Sequence, residues 1–444
     1  MKKLLLLSFC GILLIGCDNE IATPSNALEE QQTTYAIPLD EALNNLSSAL
    51  ENINAEQIKK GLRPRTINEI DECIALSTQQ VTGRNHLAKS NTTQKVDTAL
   101  YIVNFANNQG YAILSASKKL PDDVLVIADK GYLTAAELMR EDEYSNLEID
   151  TLNPYCEEDD DYYVGIDKNL TNKLVTNYYK KYSSDQIKTP VTYYYEYTSW
   201  KHHSSVAPLV RVKWHQDAPF NNLSPKRCGE PAPAGCVAIA VAQILSANKN
   251  VTKLNGVTID WATMNKLPQP TGDDKDKIAN WVRYIAKKCC MIYGCYKGKG
   301  YGLATPEKAK KFLKTLSPYK NVTKLKTFNA QTAINMVKAG KPVFISAFHS
   351  TFDAHAWVID GYLKQQRTRT TKSLSTNDVI STTTEYRELI HCNFGWNGLA
   401  DGYYTPGIFD ISAGPIEIDP LDKSKTKANG GKYYYWYRMI IYDF

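Results

Sequence analysis

The sequence lacks the motifs that mark several large enzyme classes. It has no HExxH zinc helix, no GxSxG elbow, no P-loop and no GxGxxG turn. The best-marked metallopeptidase, serine hydrolase and nucleotide-binding readings therefore fall away. Beyond the first 16 residues no apolar run is long enough to cross a bilayer, which excludes a polytopic membrane protein. Ten cysteines in 444 residues are too few for a disulfide scaffold. There is no internal repeat. What remains is an ordinary globular composition, 43% hydrophobic and 22% charged, with a prior of two or three domains at roughly 150 residues each. Twenty-nine tyrosines fit many half-buried strands.

The net charge of +5 hides a split. Residues 18–187 carry 15 Lys/Arg against 28 Asp/Glu, net −13, and residues 188–444 carry 35 against 19, net +16. Halves of opposite sign on one chain attract each other, so the basic half has its counter-charge built in and no nucleic-acid partner is called for.

At the start, Lys2 and Lys3 precede an apolar run from Leu4 to Ile15, followed by Gly16 and Cys17. Twelve apolar residues suit a signal-peptide core better than a permanent span. Leu14-Ile15-Gly16-Cys17 resembles a bacterial lipobox, with Cys17 as the lipidated residue. The expected organisation is a lipoprotein-type signal over 1–16 and a polar tether over 17–34. The protein is then exported to the cell envelope or outer surface, and touches a membrane only through the lipid on Cys17.

Leu39, Leu43, Leu46 and Leu50 have helical spacing. Leu100-Tyr101-Ile102-Val103 and Tyr111-Ala112-Ile113-Leu114 flank Asn107-Asn108-Gln109-Gly110, a hairpin signal, and Val124–Ile127 adds a strand. Residues 35–145 thus read as a small α+β unit. Residues 141–200 lose the pattern, with an acidic run at Glu157–Asp161 and basic residues Lys180, Lys181 and Lys188. They read as a solvated boundary open to cleavage. Farther on, Ala238–Leu245 is apolar all round and reads as a buried helix. Ile278, Trp281, Val282 and Ile285 mark another helix, and Thr305-Pro306-Glu307 caps a third. Val343–Ile345, Trp357–Ile359 and Leu389-Ile390 read as strands, and Leu363–Thr384, rich in Thr, Ser and Lys, as a long excursion between strands. Helices first and strands second argue α+β.

Cys289-Cys290-x4-Cys295 has no second pair and no nearby histidine, so a short-range disulfide or buried thiols fit it better than zinc. No cofactor or metal is implied. Cys236 is better placed for chemistry. Pro231, Pro233 and Gly235 forbid helix before it, and the apolar helix begins at or just after it. A thiol there faces unpaired amides and the positive end of the helix dipole, which favour thiolate. A thiolate nucleophile needs a histidine in reach. Of His86, His202, His203, His215, His349, His355 and His391, His355 opens the apolar strand Ala356–Ile359, which would hold its ring rigidly. Cys228, in a Lys/Arg/Pro loop, reads as structural or free.

These residues carry a resemblance. Ala234-Gly235-Cys236-Val237-Ala238, with Ala242-Gln243-Ile244 following, resembles the nucleophile segment of the streptopain family of papain-like bacterial cysteine proteases. Trp214-His215-Gln216-Asp217-Ala218-Pro219-Phe220-Asn221 is similar to that family's oxyanion segment, and His355–Gly361 to its histidine strand. Asn393-Phe394-Gly395-Trp396-Asn397-Gly398, with Asp401-Gly402-Tyr403-Tyr404, is similar to its Asn/Trp/Gly-rich segment, and the hairpin from Tyr101 to Ser115 resembles its propeptide. Phe394 stands where the family usually has Trp, Asn397 replaces a glycine, and Ala354 replaces the glycine before the histidine.

The resemblance implies a papain-like domain over 188–444, a helical part with the nucleophile helix beside an antiparallel sheet. An inhibitory α+β propeptide over 35–187 precedes it and ends in a cleavable linker. It also implies roles: Cys236 as nucleophile, His355 as base and then acid, and Asn393 as the orienting partner of the imidazole. The Gln216 amide with the Cys236 N–H forms the oxyanion hole. Trp396 shields the His355–Asn393 contact from water. Substrates are proteins or peptides with a hydrophobic residue two positions before the cut. The partners are the chain's own propeptide and an activating protease, and cleavage between Lys180 and Lys201 frees the catalytic domain. Two alternatives use the same framework. One is a papain-like acyl transfer, as in a cell-wall amidase or a transglutaminase-like enzyme using Asp360. The other is a non-catalytic surface binding lipoprotein.

Overall fold

The computed structural model describes residues 36–59, 64–82, 98–139, 170–183, 193–350, 353–409, 416–418, 426–428 and 436–444. The signal segment, Cys17, the tether, His86 and the acidic run Glu157–Asp161 lie outside the described residues, as do residues 184–192 of the expected cleavage segment. Among the described residues no helix is long and apolar enough to cross a membrane.

One antiparallel sheet of twelve strands runs through both halves of the chain. Its strands are β1 (Ile70–Ser77), β2 (Thr98–Phe105), β3 (Tyr111–Ser115), β4 (Val124–Ala128), β5 (Tyr193–Tyr197), β6 (Lys201–Val206), β7 (Lys320–Leu325), β8 (Val343–Ser350), β9 (Asp353–Ser373), β10 (Val379–Asn393), β11 (Gly402–Tyr404) and β12 (Trp436–Asp443). Their spatial order is β1-β2-β3-β4-β11-β10-β9-β8-β12-β7, with β5 and β6 lying along the distal part of β9. The principal helices are α1 (Leu39–Lys59), α2 (Leu170–Ser183), α3 (Cys236–Asn248), α4 (Asp274–Lys288), α5 (Pro306–Thr315) and α6 (Ala330–Lys338). The architecture is the expected α+β one, with a large antiparallel sheet beside a helical part.

The amino-terminal meander β1–β4 explains why its strands are apolar on both faces. Tyr101, Val103 and Phe105 pack under α1 with Leu46, Leu50 and Ile53, while Leu100 and Ile102 face a second cluster with Leu174 and Tyr178 of α2. A sheet covered on both sides keeps alternate residues in two different cores. That second cluster also holds Trp357, Phe394 and Tyr404, and the first holds Leu363, Leu389 and Tyr403, so apolar burial crosses between the halves. The sheet joins them through β4 and β11, where Ala128, Ile127 and Val126 pair with Gly402, Tyr403 and Tyr404. Gly402 is required there, because a Cβ would collide with the Ile127 carbonyl and the Ala128 backbone.

Two sequence expectations are corrected. Residues 363–384 are no excursion: β9 and β10 form one long ribbon paired from Val358↔Asn393 to Lys372↔Val379. β-branched Thr on both faces suits a ribbon with solvent on its sides, which shows no hydrophobic alternation. Lys180 and Lys181 belong to the last turn of α2, not to a loop. Its Leu170, Leu174, Val175 and Tyr178 are fully buried, and that helical spacing is visible in the sequence.

The helical part packs around α3, whose residues Cys236–Ser246 are all buried. Trp281 and Ile285 of α4, Phe312 and Leu313 of α5, and Ala356 and Val358 of β9 share its cluster. As expected, Thr305 caps α5 by accepting from the Lys308 N–H, with Pro306 in the first turn.

Candidate active site

Helix α3 starts where its flanking residues force it to. Gly235 precedes it with φ 96°, a left-handed conformation, and a Cβ there would collide with the Met291 side chain. Cys236 is the first helical residue. Two hydrogen bonds fix the segment before it. The Ala234 N–H donates to the Gln216 carbonyl at 2.7 Å, and Tyr293 Oη donates to the Ala234 carbonyl at 3.1 Å. A disulfide from Cys228 to Cys295, 67 residues apart, ties the preceding loop to the hairpin that carries Tyr293. Of the two readings for 289–295, a short-range bridge or buried thiols, Cys289 follows the second as a buried free thiol, while Cys295 pairs over long range with Cys228.

The helix start predicts thiolate at Cys236, and the structure holds the opposite state. The residue is 2% exposed. Burial pushes its thiol up to about 12, and the backbone amides of Ala356, Val237 and Cys236 offset this only in part. In this conformation Cys236 is a neutral thiol at neutral pH.

His355 lies on β9, opposite Ala347 of β8, and is 0% exposed. The Ala356 amide acting on the Cys236 thiol sets this strand against the helix start. His355 Nε2 donates to the Phe394 carbonyl oxygen at 2.8 Å. A carbonyl only accepts, so Nε2 carries the proton and Nδ1 is the basic nitrogen. Three aromatic rings frame the imidazole: Trp396 at 4.5 Å between centroids, Trp357 at 6.2 Å and Phe394 at 6.3 Å, the last two stacked. Trp396 therefore packs on the ring itself.

The hydrogen bond expected between Asn393 and His355 is not the one formed. Asn393 Oδ1 accepts from Gln243 Nε2 at 2.8 Å and from the Gly395 N–H at 3.2 Å, and its Nδ2 donates to the Val212 carbonyl at 3.0 Å. Asn393 braces the turn that aims the neighbouring carbonyl at His355. The same turn is held by Asp401 Oδ1, which accepts the Phe394 N–H at 2.8 Å. Asn397 adopts φ 58°, the conformation that lets Asn replace glycine. Phe394 stacks on Trp357 and Trp396 at 5.3 and 5.2 Å.

Gln216 is buried, and its Oε1 has no hydrogen-bond partner among the described residues. Its backbone contact to Ala234 holds it beside the segment that leads into Cys236. Asp360 does not serve His355. Its Oδ1 lies 2.6 Å from Nδ1 of His391, and its Oδ2 accepts the Val210 N–H at 2.9 Å. This removes the basis for the transglutaminase-like reading. Of the other histidines, His202 and His203 are exposed beside Ser205 and Ser204, and His215 contacts the Asp217 amide.

Residues missed at the sequence level are Phe394, whose backbone carbonyl accepts from His355, Gln243 as the brace of Asn393, and Asp401 as the anchor of the Phe394 amide. A backbone carbonyl has no residue signature. Gln243 left a signal, being the sole amide in an otherwise apolar helix face.

Residues 214–404, which hold Gln216, Cys236, His355, Asn393 and Trp396, match the family model described as the Peptidase C10 family. No curated protein matches the chain. Among solved structures, a prointerpain A fragment of Prevotella intermedia is 16% identical with a TM-score of 0.45, covering 78% of this chain and 96% of its own. The active interpain A cysteine protease of the same organism is 20% identical with a TM-score of 0.34, covering 54% of this chain and 95% of its own.

Proposed function

From the match of residues 214–404 to the Peptidase C10 family model we propose that the chain is a cysteine endopeptidase made in a latent form. The observation that carries the reading is the hydrogen bond from His355 Nε2 to the Phe394 carbonyl, within the matched segment and beside the Cys236 helix start. It leaves Nδ1 to take the thiol proton.

The reaction then runs as follows. Nδ1 accepts the proton of Cys236, and the thiolate sulfur adds to the scissile carbonyl. The Gln216 amide and the Cys236 N–H receive the developing oxyanion, where losing one donor typically lowers the rate by about 100- to 1000-fold. The tetrahedral carbon expels the amine, which takes the proton from Nδ1. A water molecule, deprotonated at Nδ1, cleaves the thioester and restores the thiol.

Latency accords with the buried, neutral Cys236 and with an amino-terminal segment that completes the sheet beside the histidine turn. Residues 35–187 are the inhibitory segment in this reading, and cleavage before β5 releases it. Export, with lipid at Cys17, would place the precursor on the envelope and free the catalytic part on cleavage. The test is labelling with a thiol-reactive peptide epoxide before and after limited trypsin treatment. Stoichiometric adduct at Cys236 only after cleavage supports the reading. Absence of adduct in both states contradicts the enzyme, and equal adduct in both contradicts latency.

A further inference from the structure

One face of α4 carries polar chemistry that the reaction above does not use. Asn280, Arg283, Tyr284, Lys287 and Lys288 fall at i, i+3, i+4, i+7 and i+8 and share that face. The positions behind them, Ile278, Trp281, Val282 and Ile285, are buried in the core around α3. The outward face borders a cavity of about 580 Å³, to which Leu223 and Asn255 also contribute. None of Gln216, Cys236, His355 and Asn393 lines it. Its walls are held by local structure. Asn255 and Gly256, at φ 50° and 78°, make the turn between the paired residues Leu254 and Val257. Trp281 Nε1 ties that hairpin to α4 by donating to the Val257 carbonyl at 3.0 Å. The turn that carries Leu223 is closed by the Ser224 N–H donating to the Asn221 carbonyl at 2.8 Å.

The charges decide what this cavity can hold. Among the described residues three cations and no acid line it. None of Arg283, Lys287 and Lys288 pairs there with a carboxylate, whereas Lys277 of the same helix pairs with Asp274 and Lys310 of α5 with Glu307. Like charges at i and i+4, as at Arg283 and Lys287, oppose the helix. The negative end of the helix dipole compensates Lys287 and Lys288 in the last turn, but Arg283 lies before it. Aromatic rings steady two of the cations instead. Arg283 Cζ lies 5.6 Å from the centroid of the Tyr293 ring, and Lys288 Nζ lies 5.5 Å from that of Tyr284. A ring face positions a cation without cancelling its charge. The cavity is therefore built around uncompensated positive charge.

We propose that this cavity binds a small polyanion. Arg283 and Lys287 are four residues apart, a rise of about 6 Å along the helix, so the ligand carries at least two anionic groups at about that spacing. Oligophosphates and polycarboxylates share this chemistry. The Arg283 fork suits two oxygens of one group, and Lys287 and Lys288 meet the other as point charges. Asn280 Nδ2 is taken by the Asp276 carbonyl at 2.9 Å, which leaves its Oδ1 as an acceptor for a ligand hydroxyl. Tyr284 and Leu223 offer apolar surface to the body of the ligand, and the volume falls in the small-molecule range of about 300–1,000 Å³. The ring beneath Arg283 is that of Tyr293, whose Oη holds the Ala234 carbonyl, so the site adjoins the approach to Cys236. It goes beyond the proposed function and does not depend on it.

The experiment titrates the full chain with tripolyphosphate and, separately, with citrate in a calorimeter at about 0.05 M salt. At least one of them is expected to bind, one molecule per chain. Arg283→Gln is expected to weaken that binding at least about tenfold and Lys287→Gln at least about threefold, since each removes a charge-assisted hydrogen bond. Lys314→Gln removes the same charge from the exposed last turn of α5, outside the cavity, and is expected to change the affinity less than about twofold. Binding of tripolyphosphate alone supports the site and assigns it to phosphate compounds; binding of citrate alone supports it and assigns it to carboxylates. No heat with either anion at millimolar concentration overturns the site. So does binding that Arg283→Gln and Lys287→Gln leave unchanged, or that Lys314→Gln weakens equally. Should Arg283→Gln not fold, Lys287→Gln, at an exposed side chain, decides the matter. The titration needs no hydrolysis, so an inert Cys236 would contradict the proposed function and leave this site standing.

Discussion

His355 is held by the backbone of Phe394: its Nε2 donates to that carbonyl at 2.8 Å, while the adjacent Asn393 turns its side chain to Gln243 and Val212. The imidazole is therefore oriented by a peptide unit, and the side chains that matter are those fixing the turn around it.

Asn393 and Gln243 should accordingly act as one unit. Removing Asn393 takes their partner from Gln243 Nε2 and the Val212 carbonyl, at a cost of about 1–3 kcal/mol each, and removing Gln243 takes from Asn393 Oδ1 one of its two donors. Gln243→Ala and Asn393→Ala are expected to lower peptide hydrolysis to a similar degree, and the double variant to lose little more. Kinetics and urea unfolding of the three variants form a double-mutant cycle. A harmless Gln243→Ala beside a damaging Asn393→Ala would restore a direct Asn393–His355 contact.

His391 gives the folded chain a pH dependence. Burial lowers its affinity for protons, but the charges and hydrogen bonds of Asp360 and Asp129 outweigh this and raise it from 6.5 to about 9. A histidine raised on folding adds stability that is full below 6.5 and is lost as pH climbs through about 9. At about 1.4 kcal/mol per unit the loss is on the order of 3 kcal/mol. Urea midpoints of the full chain should fall across that window, and the fall should be flatter in His391→Gln. A wild-type midpoint constant from 6.5 to 9 would contradict the buried ion pair.

Docking of the amino-terminal segment should resist salt. The opposite charges of the two halves suggest attraction that salt screens, but the contact is built from strand pairing, shared apolar clusters and buried ions such as Asp123–Arg387 at 2.8 Å. Such pairs are screened weakly. After limited trypsin cleavage, gel filtration at about 0.05 and 0.5 M salt should show the same fraction of fragment retained. Release by salt alone would return the explanation to surface charge.

Thiol reactivity should rank with exposure. Cys73 is exposed, although partial burial and the Glu72 charge raise its thiol, whereas Cys236, Cys289 and Cys392 are buried and raised by that burial. In the uncut chain, iodoacetamide at neutral pH should alkylate Cys73 first and leave Cys236 nearly untouched, as read by peptide mass mapping. Rapid alkylation of Cys236 in the uncut chain would show that its resting state is thiolate.

Local patterns were legible and long-range contacts were not. The Pro/Gly-rich approach to Cys236, the spacing of Leu39 to Leu50 and the Thr305-Pro306 cap announce their helices, because each signal lies within one element. The long ribbon over 353–393 was hidden by its polar, two-sided Thr content. Asp129, Lys213, His391 and Asp401 are brought together from positions up to 272 residues apart, and nothing local marks any of them. The partner of His355 was missed for a different reason, since any residue supplies a carbonyl.

The central claim is that Cys236 is the nucleophile of a cysteine endopeptidase released from latency by cleavage. Casein hydrolysis by the trypsin-treated wild type and by Cys236→Ala, with the trypsin inhibited beforehand, tests it most directly. The account predicts new casein fragments from the wild type only after its own cleavage, and a loss of at least about 1000-fold in Cys236→Ala, with the variant still soluble and folded. Casein cleavage by Cys236→Ala at a rate near that of the wild type would contradict it.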